Sequence, residues 1–424
     1  MSIFYHLLLF FYHLRADPGG SPIRTTNEYG QIQHRSQNCL AMPRKPIGTA
    51  SLLLTTILAA CGGGGDSVAP PTTGIIEFNV VTNGVDIDAD GFFLAVDGGS
   101  PQPIPVNGTV SIPTLPGSHT LAITGLAFNC DVTAAPPPAT VAVGHTTHVN
   151  AQASCTPFLR NAIVYVSNQF GGQGEVMVMR PDGTRVERLT TDNAGYVSPA
   201  VSPDGQSIAV AARVGGDWNG IYLLDRFGKN RTLLVSHAGS GAPAWSRDGT
   251  KLSFSGTLPG PYGDYGRIFV VNKDGTGLRQ LSPDVAPTDY TFDAGSSWSP
   301  DGTRLVFDRF GVLYLINADG TGLVSTGISG TNPDWSPDGT QIAYGNTSLD
   351  GISAMDMSFS PHRLTTAVQE DGYPRWSPDG LQLVFERVQN NERHLYKINA
   401  DGSGAARLGT GAQVDYTPSW GRNF

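Results

Sequence analysis

From residue 161 onward, short apolar and β-branched runs alternate with tight turn signals. The runs at 207–210, 251–254, 304–307, 341–344 and 382–385 each follow an Asp-Gly pair. Glycine accepts a positive φ without steric cost and aspartate caps a turn with its carboxylate, so an Asp-Gly between two apolar runs predicts a hairpin. Further Asp-Gly pairs at 182–183, 274–275, 319–320 and 401–402 predict a second hairpin in most units, hence four strands per unit. The turns belong to a repeat ending in Trp-Ser-Pro-Asp-Gly. Its copies span 199–205, 243–249, 296–302, 333–339 and 374–380, and a shortened sixth ends at Gly421. The anchor positions Val201, Trp245, Trp298, Trp335, Trp376 and Trp420 are 44, 53, 37, 41 and 44 residues apart. A four-stranded unit recurring every 40–45 residues or so predicts a propeller blade. The first unit, beginning at residue 163, lacks an inner strand, and the orphan strand around Trp420 can supply it. That closure removes exposed sheet edges. The predicted fold class is all-β: a six-bladed β-propeller over 160–424, preceded by a small antiparallel β-sandwich over 74–157. Strands of the sandwich are expected at 75–81, 92–97, 109–112, 119–124, 140–143 and 148–152, divided by Asp97-Gly98, Asn107-Gly108 and Pro116-Gly117 turns.

The five nearly intact Trp-Ser-Pro-Asp-Gly copies resemble the TolB-type propeller repeat family, a relative of WD-type repeats. The resemblance covers 161–424 and speaks to fold. The repeat residues themselves are expected to be wedges and turns, not a site. For function, the resemblance implies a propeller that binds a partner lipoprotein at the mouth of its channel. The chain departs from the family in carrying a sandwich where TolB carries an α/β domain. That sandwich resembles the immunoglobulin-like or transthyretin-like accessory modules of bacterial surface proteins.

The N-terminal region carries targeting signals. Met42, Arg44 and Lys45 open a basic segment, 47–60 is mostly apolar and short for a membrane span, and Leu58-Ala-Ala-Cys61 resembles a bacterial lipobox. The resemblance implies a lipoprotein signal peptide over 42–60 and lipidation of Cys61, with 61–73 as a flexible Gly/Ser/Pro tether. The alternative is an ordinary signal peptide with a coincidental cysteine. Residues 1–41 fit neither role. They are expected to be a gene-start extension upstream of Met42, the alternative being a short membrane anchor at 3–14. The expected location is the bacterial cell envelope, lipid-anchored, at the outer membrane.

Composition narrows the partners. The formal net charge is −9, with 27 Lys and Arg against 36 Asp and Glu, which argues against nucleic acid. With Cys39 upstream of the expected start and Cys61 lipidated, Cys130 and Cys155 remain for one bridge of the kind found in oxidising compartments. Asp86, Asp88, Asp90 and Asp97 have the carboxylate spacing of a Ca²⁺ loop, since alternate carboxylates can converge on one hard cation. The alternative is an acidic β-turn, because 92–96 reads as a strand and not as the helix such a loop needs.

Catalytic signals are absent from the sequence. No Gly-x-Ser-x-Gly elbow, phosphate-cradling glycine loop or His-Glu-x-x-His helix occurs. His237, His362 and His394 fall at different repeat positions, so no cofactor or metal set is expected. Binding is the remaining class, and strand alternation says where. The tight Asp-Gly turns share one end of the ring. The connections 168–174, 213–220, 256–266, 282–295, 367–373 and 411–417 share the other, and they carry aromatic and acidic residues. Trp218, Tyr262, Tyr265, Tyr290, Phe292, Asp293, Tyr373 and Tyr416 are the candidate ligand-binding residues, because aromatics in polar loops give contact area at low entropy cost. The competing reading of each ring is that it packs its own loop. Three functions follow: a lipid-anchored envelope scaffold that binds protein, a glycan- or peptide-binding surface receptor, or a propeller lyase or hydrolase.

Overall fold

The computed structural model describes residues 72–421 apart from 88–89, 215–216, 238, 240, 260–263, 285–290, 348–350, 366–369, 391 and 410–414. The leader, Cys61 and the tether up to residue 71 lie outside the described residues, as do Asp88, Tyr262 and Tyr290.

The described residues form strands and turns without a helix. The repeat region folds as six four-stranded antiparallel sheets, counted over the described residues. Five of them are sequential meanders, and each inner strand is the first of its blade: Tyr196–Val201, Gly241–Trp245, Asp293–Trp298, Thr331–Trp335 and Asp371–Trp376. The sixth sheet joins the two ends of the region. Asp415–Trp420 pairs with Ile163–Ser167, bringing Trp420 opposite Ile163 and Asp415 opposite Ser167.

The anchor residues wedge between blades. Trp245 packs with Ala209 and Ile221 of the preceding blade, and Trp298 with Ile268 and Val270. Trp420 closes the ring against Tyr165, Met177, Val384 and Leu395. Removing such rings from water is the main stabilising contribution here. The turn chemistry repeats too. In each full copy the Ser Oγ donates to the Asp Oδ1 at 2.6 Å, from Ser202–Asp204 through Ser377–Asp379. The glycine at the end of each copy has a positive φ, as at Gly302 (71°) and Gly380 (72°).

The N-terminal module has two main sheets and a small two-stranded one. It is not purely antiparallel. Gly74–Gly84 runs antiparallel to Gly108–Thr114 but parallel to Thr146–Cys155, because the chain crosses the second sheet before returning. Cys130 and Cys155 are opposite one another and bonded. Arg180 of the first blade donates to the carbonyls of Phe128 and Cys130 and pairs with Asp131 at 2.9 Å. Phe128 and Phe158 enter the core shared with the first two blades, and Asp86 pairs with Arg226 of the second. The bridge therefore sits at the seam between module and propeller.

Candidate functional site at the long-connection end of the ring

The site is built on a backbone irregularity repeated six times. Three residues before each anchor, the inner strand has a register break. The residue there is left-handed in every blade: Ser198, Ala242, Gly295, Asn332, Tyr373 and Thr417, with φ between 46° and 54°. Only one of the six is glycine. For the others this conformation costs about 1 kcal/mol each, so packing must hold it. Bulges of this kind bend a strand and re-aim its side chains.

Two buried ion pairs brace the strands above the bulges. Arg309 grips Asp293 through Nε–Oδ1 at 2.6 Å and Nη2–Oδ2 at 2.7 Å. Arg387 grips Asp371 in the same way at 2.6 and 2.8 Å. Asp415 occupies the equivalent place but faces Ser167, where no arginine stands. Burial raises its carboxyl, with Ser167 acting against that, and its Oδ1 is buried without a partner. Two further acids cap bulges of the next blade. Asp308 Oδ2 accepts the Asn332 amide at 3.5 Å, and Glu386 Oε2 accepts the Thr417 amide at 3.3 Å. Burial pushes Asp308 up to about 8 and also raises Glu386, against the pull of Arg393 at 2.5 Å.

The candidate aromatics divide. Phe292 is 45% exposed and lies against Gly266, where an added Cβ would meet its ring at 3.0 Å. Tyr265 stacks on Arg267 at 4.4 Å, and Arg267 is buried, donating to the Thr291 carbonyl and hydroxyl at 3.0 Å. The structure thus brings Tyr265 and Phe292 to one ledge between the third and fourth blades. Tyr373 and Tyr416 are half-buried at the channel mouth, both with phenols pushed up to about 12, chiefly by burial. The Tyr416 hydroxyl donates to Asn168 Oδ1 at 3.0 Å.

Several expectations change. Asp293 is fully buried in its ion pair and holds a strand in place instead of facing a ligand. The connection at 213–220 is strand on both sides, with Arg213 opposite Trp218 and Val214 opposite Asp217. Tyr373 and Tyr416 lie within inner strands, not loops. In the suspected Ca²⁺ loop, Asp86 is committed to Arg226 and the Phe158 amide, and Asp97 to His119 and Thr120. Among the described residues no group of three or more His, Cys, Asp or Glu is placed to hold a metal. The sequence pattern does not point to Phe310, 52% exposed on the hairpin beside Asp308. Nor does it single out Arg309 and Arg387, although both stand eleven residues after an anchor tryptophan.

This architecture defines a β-propeller with one dressed end. Residues 155–424 match the family model of the TolB beta propeller domain, and the chain belongs to that family. It is similar to a TolB homolog of Chlorobium luteolum, 30% identical over 166 residues, which is 38% of this chain and 35% of that protein. A TolB homolog of Chlorobium chlorochromatii is 36% identical over 149 residues, 34% of this chain and 30% of the relative. The chain thus spans about a third of the length of these curated relatives. Among solved structures, TolB from Acinetobacter baumannii superposes with a TM-score of 0.53 at 22% identity, covering 62% of this chain and 67% of that one. A chain of a nidogen/laminin complex reaches 0.51 at 11% identity, with 62% of this chain and 98% of that one covered. At such identities the likeness is one of fold.

Proposed function

We propose that this protein is a lipid-anchored cell-envelope scaffold whose propeller binds a protein partner through its long-connection end. The observation that carries this reading is the cluster of exposed rings at that end: Phe170, Phe292 and Phe310 are 48%, 45% and 52% exposed on connections that topology brings to the same rim. Phe170 is held in place by Arg188, whose guanidinium lies 4.1 Å from the ring centroid. Exposed rings on a braced scaffold are what an interface core needs. The family and the kinship to TolB homologs support a binding role in the envelope over a catalytic one. Trp218, Tyr262 and Tyr290 belong to the same rim by their place in the chain, and Tyr265, Tyr373 and Tyr416 complete it. Anchoring through Cys61 at the outer membrane is part of the proposal. A glycan or peptide ligand is the second reading, favoured by the Tyr265–Phe292 ledge, which has the flat aromatic surface a sugar ring stacks on.

The test is capture and identification of partners from envelope extracts, comparing the wild type with a Phe170→Ala/Phe292→Ala/Phe310→Ala variant. Partners should be lost from the variant and kept by Leu381→Ala, which alters an exposed residue at the tight-turn end. Loss from Leu381→Ala alone would overturn the assignment.

A further inference from the structure

The N-terminal module leaves its two main sheets open along one side. Gln102–Ile104 is an edge strand of one sheet and Gly108–Thr114 an edge strand of the other. The two are consecutive in the chain, and among the described residues no strand spans the gap between them. A cavity of about 480 Å³ lies in that gap. Its floor is Leu94, which is fully buried, with Val96, Val110 and Ile112, which pack on the module's core yet stay half-buried. Ser100, Gln102 and Ser111 stand exposed at its rim. Among the described residues no charged side chain lines it.

An apolar slot between sheet edges invites an added strand, because an edge offers unpaired N–H and C=O groups. Both edges here are closed to that. The Ile75 amide donates to the His145 carbonyl, so Ile75 directs its backbone polar groups away from Gly108–Thr114. Pro113 is opposite Ile75 and therefore faces outward. On the other sheet the Asp97 amide donates to the Thr120 carbonyl, so by strand alternation Phe93 directs its polar groups towards Leu121–Thr124. Pro103, opposite Phe93, again faces outward. Proline has no N–H to offer. Each edge thus lacks a donor where an incoming strand needs one, a common protection of exposed edges.

The slot therefore suits an occupant that needs apolar contact and no backbone hydrogen bonds, and a hydrocarbon chain has that chemistry. The volume falls within the roughly 300–1,000 Å³ of small-molecule pockets. The uncharged rim leaves a ligand's polar head at the surface, within reach of Ser100, Gln102 and Ser111. The place fits too. Gly74, where the chain enters the module, pairs with Thr114 beside Pro113, and it follows Cys61 by thirteen residues. Under the anchoring proposed above, a short tether links this part of the module to a bilayer's acyl chains.

We propose that this slot binds one acyl chain of a membrane lipid, with Leu94, Val96, Val110 and Ile112 around the chain and the rim residues at its polar end. The source of the lipid rests on the anchor reading. The binding itself does not, and it is separate from the long-connection rim of the propeller.

The full-length protein carrying Cys61→Ser, in detergent-free buffer, tests the binding with cis-parinaric acid, whose fluorescence rises in apolar surroundings. Emission should rise saturably at one probe per protein. Octanoate, decanoate and dodecanoate should displace the probe, each added pair of methylenes tightening binding by about tenfold. The strand-forming peptide acetyl-Thr-Val-Thr-Val-Thr-amide should not displace it. Ser100→Trp puts a ring into the slot from an exposed position and should abolish binding with melting unchanged, whereas Phe292→Ala on the propeller rim should bind like the parent. The source is tested with wild type whose lipidation is confirmed by mass, placed in nanodiscs of lipids with a photoactivatable acyl chain; crosslinks should fall within 92–114. Displacement by the peptide would assign the slot to a strand and overturn the proposal. Emission that never saturates, affinity that ignores chain length, or equal binding by a Ser100→Trp variant with an unchanged melt would do the same. Crosslinks of the lipidated protein that fall only elsewhere would overturn the membrane lipid as occupant.

Discussion

Replacing Asp308 by asparagine isolates the energetic consequence of one buried acid. Asp308 is 7% exposed, near the end of the strand Arg304–Arg309. Burial is the chief cause of its upward shift to about 8; the Asn332 amide opposes that shift and the nearby Asp293 carboxylate adds to it. In the unfolded chain an aspartate titrates near 3.9, on the order of four pH units lower. Between those two values the folded protein holds one proton more than the unfolded chain. Stability from this group is therefore fully present below about pH 4 and is lost as pH rises towards 8, at about 1.4 kcal/mol per pH unit. Asparagine keeps an oxygen for the Asn332 amide and does not titrate. Relative to wild type, Asp308→Asn should gain about 2–3 kcal/mol between pH 5 and pH 7, the slope of one proton. The gain should level off above about pH 8. Urea unfolding followed by tryptophan fluorescence at half-unit pH steps measures it. A gap that stays constant from pH 5 to pH 7 would refute the buried-acid argument, whatever its size.

Three further outcomes follow from the architecture. Trp420→Ala removes a ring that is 7% exposed, together with its bond to Asn161. It should cost about 3–5 kcal/mol, and a thermal melt matching wild type would mean that the ring closes without this wedge. Cys61→Ser should abolish lipidation and shift the protein out of the detergent phase on phase separation; full retention there would end the anchor proposal. At the long-connection rim, truncating Phe292 or Tyr265 should weaken partner binding by about 2 kcal/mol, whereas Lys273→Ala at the opposite end should leave the measured affinity unchanged.

What the sequence reveals, and what it hides, follows from the repeat. Periodicity makes equivalent positions comparable, so the wedges at Trp245, Trp298, Trp335, Trp376 and Trp420 and the Ser-Pro-Asp-Gly turns are legible from spacing alone. The closing strand is legible for the same reason: one blade is short of a strand and the far end has one spare. The two braces are legible in principle. Asp293 and Asp371 stand five residues before an anchor, and Arg309 and Arg387 eleven after one. They are hidden because each lies where a strand runs into a connection, and polar residues there look the same whether strand or loop carries them. Burial is not legible. That Asp293 is sealed off while its neighbour Phe292 stays 45% exposed depends on a register break three residues before Trp298, which no side-chain pattern announces.

The departures from symmetry matter more for function than the symmetry itself. Six equal copies can build a closed ring, but they present the same surface six times and distinguish no ligand by direction. Selectivity has to come from positions where one copy differs: Gly345 where its neighbouring blades carry Asp308 and Glu386, Ser167 where others carry Arg309 and Arg387, Arg375 where others carry alanine, serine or aspartate, Arg247 in place of proline. These substitutions cluster at the two ends of the channel, while the anchor wedges between them are tryptophan in every blade but that of Val201. The end with long connections gains exposed rings over braced carboxylates; the end with tight turns gains two arginines, Arg375 and Arg247, beside a small cavity. A symmetric scaffold has thereby acquired two chemically opposite mouths, and a mutation's effect on binding should depend first on which mouth it changes, and only then on how buried the residue is.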